Sequence, residues 1–154
     1  VLGLLVREFM DRDLTSVGPE CTLGEAVEVM NRHRLSGLPV VDEEGRLLGY
    51  ISESDVIRAA MPGYVDHLKS LSFVPDVGQL FRRLRRLSRE PVSSFMTREV
   101  VAFEEDDHDM QVALEMLRRG LKRAPVVREG KLVGVVSRAD LLERIMLEGL
   151  EVDG

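Results

Sequence analysis

Gly37-Leu38-Pro39-Val40-Val41, followed after a short turn by Gly49-Tyr50-Ile51-Ser52-Glu53-Ser54-Asp55, decides the fold because the pattern occurs twice. Its second appearance is Arg123-Ala124-Pro125-Val126-Val127 followed by Gly134-Val135-Val136-Ser137-Arg138-Ala139-Asp140. Working outward, a shift of 86 residues places Phe9-Met10 on Phe95-Met96, Met30 on Met116, Arg32 on Arg118 and Leu35 on Leu121. One residue is lost in the turn, and a shift of 85 then places Gly45, Leu47 and Met61 on Gly130, Leu132 and Met146. Over positions 9–41 and 45–61, 15 of 50 pairs are identical, well above chance. The chain therefore holds two copies of a unit of about 55 residues.

Each copy reads the same way. It opens with an extended piece, Leu14 to Val17 or Val100 to Phe103. A helix follows, with apolar residues spaced i, i+3, i+4, i+7: Leu23, Ala26, Val27 and Met30, then Met110, Ala113, Leu114 and Leu117. Thr22 with Glu25 is a capping-box pattern at the first of these helices. Two β-rich runs flank a turn, Leu38 to Val41 with Leu47 to Ile51, and Ala124 to Val127 with Leu132 to Val136, which predicts a hairpin. Ser52 and Ser137 stand where a helix N-cap belongs, and the last helices run through Val56-Ile57 and Leu141-Leu142. The fold class is thus mixed α/β (α+β), built from two β-α-β-β-α units. The predicted division is a first unit over 5–61, a linker over 62–90 and a second unit over 91–149. Neither unit is long enough to bury its own sheet well, so the two are expected to pack with pseudo-twofold symmetry.

Composition narrows the function. Of 154 residues, 44% are hydrophobic and 31% charged, which fits a soluble globular chain and excludes disorder, collagen and a disulfide scaffold. The net charge of −6 gives no electrostatic footprint for nucleic acid. No apolar run approaches the roughly 20 residues of a membrane span. The run from Val1 to Val6 lacks the basic start and cleavage site of a signal peptide. Cys21, the sole cysteine, forms no internal disulfide and fits a reducing compartment, so a cytoplasmic location is expected. The chain begins with valine, which leaves open that it is a piece of a longer protein.

Two tandem units of this order, each with Pro-Val-Val and then Gly-x-x-Ser-x-x-Asp, resemble a pair of CBS domains, a Bateman module. The resemblance covers nearly the whole chain outside the linker. It implies reversible binding of an adenosine compound (AMP, ADP, ATP, S-adenosylmethionine or NAD) in clefts between paired domains. The module would be a regulatory, non-catalytic sensor with no tightly required cofactor, and CBS pairs commonly form homodimers. By resemblance, Asp55 and Asp140 would hold ribose hydroxyls, Ser52 and Ser137 would contact ribose or phosphate, and backbone around Pro39 and Pro125 would contact adenine. A basic residue three places before the proline often faces phosphate in this family. Lys122 holds that place in the second copy, while the first copy departs from the pattern with Ser36. Arg138 would add a second positive group where the first copy has Glu53. The two clefts should therefore differ, the one served by Lys122 and Arg138 taking phosphates better.

The carboxylates make chemical sense as acceptors for vicinal hydroxyls, and helix N-termini favour anions. A plainer reading stands beside this one. In it Ser52 and Ser137 are only N-caps, Asp55 and Asp140 are first-turn acids, and Lys122 and Arg138 are solvated charges. In the linker, Pro62-Gly63 should stop the preceding helix, and Leu80, Phe81, Leu84 and Leu87 form a helical stripe beside Arg82, Arg83, Arg85, Arg86 and Arg89. Such a helix can meet a membrane, an acidic partner, an anion or a second chain, or simply cover its own domain. The acidic run from Glu104 to Asp109 lies at a helix start, where acids belong, which is a better account than a cation site. His33, His67 and His108 lack zinc spacing, and no metal is expected. Cys21 has no base beside it, and there is no Walker loop or Gly-x-Gly-x-x-Gly. No enzyme activity is expected. Two alternatives to the sensor stay open: a regulatory region detached from a transporter or enzyme, and a dimerisation module whose clefts bind nothing.

Overall fold

Val and Leu runs flanked by glycine turns form the strands, and the capped apolar-periodic segments form the helices. A computed structural model describes residues 3–61 and 77–148. In chain order its elements are α1 (Val6–Phe9), α2 (Leu23–His33), β1 (Gly37–Val41), β2 (Leu47–Ser52), α3 (Glu53–Ala60) and α4 (Val77–Leu87). A 3-10 turn at Val92–Ser94 follows, then β3 (Phe103–Glu104), α5 (Asp109–Arg119), β4 (Arg123–Arg128), β5 (Lys131–Ser137) and α6 (Arg138–Glu143). A π-helical turn, Arg144–Glu148, closes the described chain. The Pro62-Gly63 stop and His67 lie outside the described residues.

The chain divides into two compact units whose membership differs from a simple cut between the repeats. One consists of Thr15–Glu43 and Leu48–Val100. Its core joins Val17, Leu23, Met30, Leu38 and Ile51 of the first repeat to Val92 and Met96. The other gathers the residues before Thr15, Glu44–Leu47 and the residues from Val101 onward. Its core joins Phe103, Val112, Met116, Val126, Val136 and Leu141 of the second repeat to Val6 and Phe9. Val6 and Val92 are equivalent positions, as are Phe9 and Phe95. The leading segment of each repeat is thus built into the compact unit of the other.

The glycine of each Gly-x-x-Ser-x-x-Asp stretch exists for this arrangement. Within the first unit, Tyr50 and Thr97 exchange backbone N–H to carbonyl bonds, both 2.9 Å. Asp11 and Val135 do the same in the second, both at 2.8 Å. A Cβ on Gly49 would lie 2.7 Å from Met96 Sδ and 2.8 Å from the Thr97 carbonyl oxygen. On Gly134 it would lie 2.5 Å from the Asp11 carbonyl oxygen, so the crossing backbone leaves room only for glycine.

The second-repeat sheet has the order β3-β4-β5. β3 pairs parallel to β4, with Phe103 opposite Val126. β4 and β5 pair antiparallel, with Pro125 opposite Val135. In the first repeat β1 pairs with β2, and the predicted extended piece is reduced to a parallel bridge of Val17 to Val40. Both turns carry a glycine in the left-handed region, Gly45 at φ 84° and Gly130 at φ 80°.

One expectation fails. The spacing predicts that α5 buries Met110, Ala113, Leu114 and Leu117. The helix instead buries Val112 and Met116, while Met110, Leu114 and Leu117 are 60%, 60% and 71% exposed. In α2 the predicted face holds, with Leu23, Ala26 and Met30 buried. Ala26 and Met30 align with Val112 and Met116, so both helices bury equivalent positions and α5 carries an additional apolar face.

The acidic run has structural duties. Asp109 is buried and its carboxylate accepts from the Leu4 N–H at 3.1 Å, tying the leading segment to α5. The Asp107 carboxylate accepts from the Glu104 N–H at 2.8 Å. Glu105 pairs with Arg128 through two bonds, one of them Nη2 to Oε2 at 2.9 Å. The Arg128 hydrogen bond holds the Glu105 carboxyl below the usual range, and the same bond raises the guanidinium.

Candidate functional site

Ser52 and Ser137 do cap their helices. The Ser52 hydroxyl accepts from the Asp55 N–H at 3.2 Å, and the Ser137 hydroxyl accepts from the Asp140 N–H at 3.1 Å. Beyond the caps the two copies part. The Asp55 carboxylate turns back on its own helix start, accepting from the Ser52 N–H and from the Ser52 hydroxyl, both at 3.0 Å. Arg58 reaches it at 3.4 Å, and the Asp55 side chain is only 13% exposed. Asp55 is therefore a fully used first-turn acid.

Asp140 sits at the same position but does not fold back. Among the described residues its carboxylate takes no hydrogen bond and no ion pair. It lines a recess of about 270 Å³ together with Phe9, Met10, Asp11, Glu143 and Arg144. Phe9, Met10 and Asp11 come from the leading segment, so the recess exists because that segment packs in this unit. Its wall combines buried Phe9 with three carboxylates and one guanidinium. A free carboxylate in a polar recess suits a ligand that offers hydroxyl donors.

Lys122 and Arg138 are brought together through the main chain, the Arg138 N–H donating to the Lys122 carbonyl at 3.0 Å. Lys122 is exposed, Arg138 is half-buried, and neither lines the recess. The equivalent bond in the first repeat joins the Glu53 N–H to the Ser36 carbonyl at 2.9 Å, with no cation on either residue. Pro39 and Pro125 are buried within β1 and β4, and the Pro39 carbonyl is engaged by the Val17 N–H at 3.1 Å. Of the six recess residues only Asp140 was a candidate from sequence; Phe9, Met10, Asp11, Glu143 and Arg144 were missed. Glu143 lies one helical step beyond Asp140, but only the packing of the leading segment brings Asp11 there.

Cys21 offers no nucleophile. Burial, and then the charge of Glu25, push its thiol up and keep it protonated. Among the described residues no three histidine, cysteine, aspartate or glutamate side chains gather to hold a metal ion. No described helix is long and apolar enough to cross a membrane.

Comparison with known proteins agrees with the repeat. The model of the CBS domain matches residues 6–62 and 92–147. The protein MJ1225 of Methanocaldococcus jannaschii is 28% identical over 138 residues, covering 90% of this chain, and this chain spans 41% of its length. Among solved structures, the CBS domain of a CBS domain containing membrane protein from Sphaerobacter thermophilus is 30% identical with a TM-score of 0.69. The match covers 94% of this chain and 89% of that one. Two further structures share the fold at 23% identity. CBSX2 of Arabidopsis thaliana in complex with AMP has a TM-score of 0.69, covering 97% of this chain and 98% of that one. The CBS domain pair of MJ0100, in complex with 5'-methylthioadenosine and S-adenosyl-L-methionine, has a TM-score of 0.63, covering 90% and 92%. Repeat, fold and matched residues agree: the chain belongs to the CBS-domain family and carries two CBS domains in tandem.

Proposed function

We propose that the chain is a regulatory module that reversibly binds an adenosine compound, with the ribose hydroxyls on Asp140. One observation carries the reading: of two equivalent aspartates, Asp55 is spent on its own helix start while Asp140 keeps an unengaged carboxylate at a recess. A carboxylate accepts from both vicinal hydroxyls of a ribose without rearranging. Lys122 and Arg138, adjacent through their main chains, are the cations for a phosphate. Asp11 and Glu143 oppose dense negative charge in the recess itself, which favours AMP, S-adenosylmethionine or another lightly charged adenosine compound over ATP. CBSX2 with AMP and MJ0100 with S-adenosyl-L-methionine support the same ligand class.

No bond is made or broken in this function. The ligand acts by favouring one arrangement of the module over another, to the extent of its differential affinity. The module works as a homodimer in a cytoplasmic setting and passes the signal to an enzyme or transporter, either a separate partner or the rest of a longer chain. The exposed Met110, Leu114 and Leu117 on α5, with Leu142 and Met146 beyond, support a paired chain. A patch of that kind on a soluble protein commonly meets a partner.

The test is calorimetric titration of AMP, ADP, ATP, S-adenosylmethionine and NAD into nucleotide-free protein, with and without Mg²⁺. Micromolar binding of a lightly charged member, weakened about ten-fold by Asp140→Asn, is expected. Silence across the panel from folded protein would leave the dimerisation module as the function.

A further inference from the structure

The segment from Leu4 to Asp11 forms one side of the recess around Asp140, yet only non-covalent contacts hold it in its unit. Along the chain it runs on past Leu14 into the other compact unit, while its neighbours here, Glu44–Leu47 and the residues from Val101 onward, come later in sequence. Its helix, α1, has four residues, too few to persist without packing. Val6 and Phe9 are buried in the core with Phe103, Val112 and Val136. The main chain is fastened at three places. First, the Leu4 N–H donates to the buried Asp109 carboxylate at 3.1 Å, and the Leu4 carbonyl accepts from the Asp109 N–H at 2.9 Å. Next, the Val6 and Arg7 N–H groups donate to the Asp107 and Glu105 carbonyls at 2.9 and 3.0 Å. Last, Asp11 and Val135 exchange bonds, both at 2.8 Å. A segment fastened at a few points opens at lower cost than the unit as a whole.

Of the six residues around the recess, Phe9, Met10 and Asp11 belong to this segment, and Asp140, Glu143 and Arg144 to α6 and the turn beyond it. The recess is therefore a seam between the two, and undocking the segment removes one whole side of it. We infer that the leading segment is a strap whose docking is coupled to occupancy of the recess. A ligand seated there touches both sides of the seam and binds only the docked form, so it shifts the segment towards docking by its full binding free energy. The inference rests on the recess being the adenosine site proposed above, and it names the element that site controls. The coupling is reciprocal: occupancy locks the strap, and a partner that draws the strap away empties the recess. Asp109 is the positioning residue of the device, since it fastens Leu4 and lies outside the recess.

The test is amide hydrogen exchange on the full chain, without ligand and with AMP or S-adenosylmethionine at about a hundred times its dissociation constant. The Val6, Arg7 and Asp11 amides should exchange about a hundred-fold more slowly with ligand. The Val17 and Val41 amides, bonded to the Pro39 and Val17 carbonyls in the other unit, should keep their rates. Asp109→Ala removes the acceptor of the Leu4 N–H and should speed exchange at Val6 and Arg7 by at least about ten-fold without ligand. A circular dichroism melt checks that this variant folds, and the unaltered chain tests the coupling whether or not it does. If neither compound binds, the adenosine reading and the strap fall together. Binding that Asp140→Asn weakens, with unchanged rates at Val6, Arg7 and Asp11, overturns the strap alone. Equal slowing in both units also overturns it, because the segment then opens only when the whole chain unfolds.

Discussion

Asp55 and Asp140 hold the same place in two copies of one unit, and so do the faces of α2 and α5, yet neither pair behaves alike. Asp55 is closed into a capping box by Ser52 and Arg58, whereas Asp140 faces a recess. On the helices, Gly24, Glu28 and Asn31 of α2 align with Met110, Leu114 and Leu117 of α5. The first face is small and polar and has α4 beside it, the Ser88 carbonyl accepting from the Gly24 N–H at 2.9 Å. The second is long-chained, apolar and bare. Duplication supplied two equal scaffolds, and a few side chains then set them apart: one copy turns its aspartate back on its own helix, the other keeps its carboxylate and an apolar helix face exposed.

The largest effect should come from the exchanged leading segments. Phe9 is buried in the core that surrounds the recess, so Phe9→Ala should cost about 3–5 kcal/mol in urea unfolding. Phe95→Ala, at the equivalent but half-buried position, should cost clearly less. Equal losses would remove the asymmetry between the two cores. Next in size is the bare helix face. Leu117→Glu should raise the dimer dissociation constant by at least about ten-fold in sedimentation equilibrium, while the reciprocal change on α2, Asn31→Glu, leaves it unchanged. A dimer that ignores Leu117→Glu is built elsewhere.

The paired aspartates sharpen the comparison further. Asp140→Asn should weaken adenosine binding about ten-fold with no change in melting temperature. Asp55→Asn should do the opposite, costing about 1 kcal/mol of stability through its lost contacts with Ser52 and Arg58 and sparing affinity. A stability loss in the first, or an affinity loss in the second, would undo the division of labour. The smallest effect is acid sensitivity. Because Arg128 lowers the folded carboxyl of Glu105, the pair's contribution is present above the ordinary glutamate range and lost as pH falls through the folded value. Glu105→Gln should flatten that part of the stability profile slightly, as fits an exposed pair.

Much of this was legible in the residues. Hairpin strands, caps and last helices lie within a residue or two of where spacing puts them, because each copy confirms the other. The face of α5 was misread because helical period alone prefers the most apolar stripe, Met110-Ala113-Leu114-Leu117, over the buried one. Alignment with Ala26 and Met30 already pointed to Val112 and Met116. The recess was half legible: Asp140 stood in its motif, but Asp11 lies over a hundred residues away and reaches it only through chain topology. Why Asp55 closes while Asp140 stays open is equally local, since Arg58 has its counterpart in Glu143, which repels rather than pairs.

The exchange of leading segments also sets a timetable for the growing chain. The ribosome makes Val6 and Phe9 about a hundred residues before the neighbours that bury them, from Phe103 to Leu141. The first repeat likewise waits for Val92 and Met96 before its core closes. Neither repeat alone contains its own complete interior, so maturation is concerted and Val6 and Phe9 stay uncovered until the second repeat has been made.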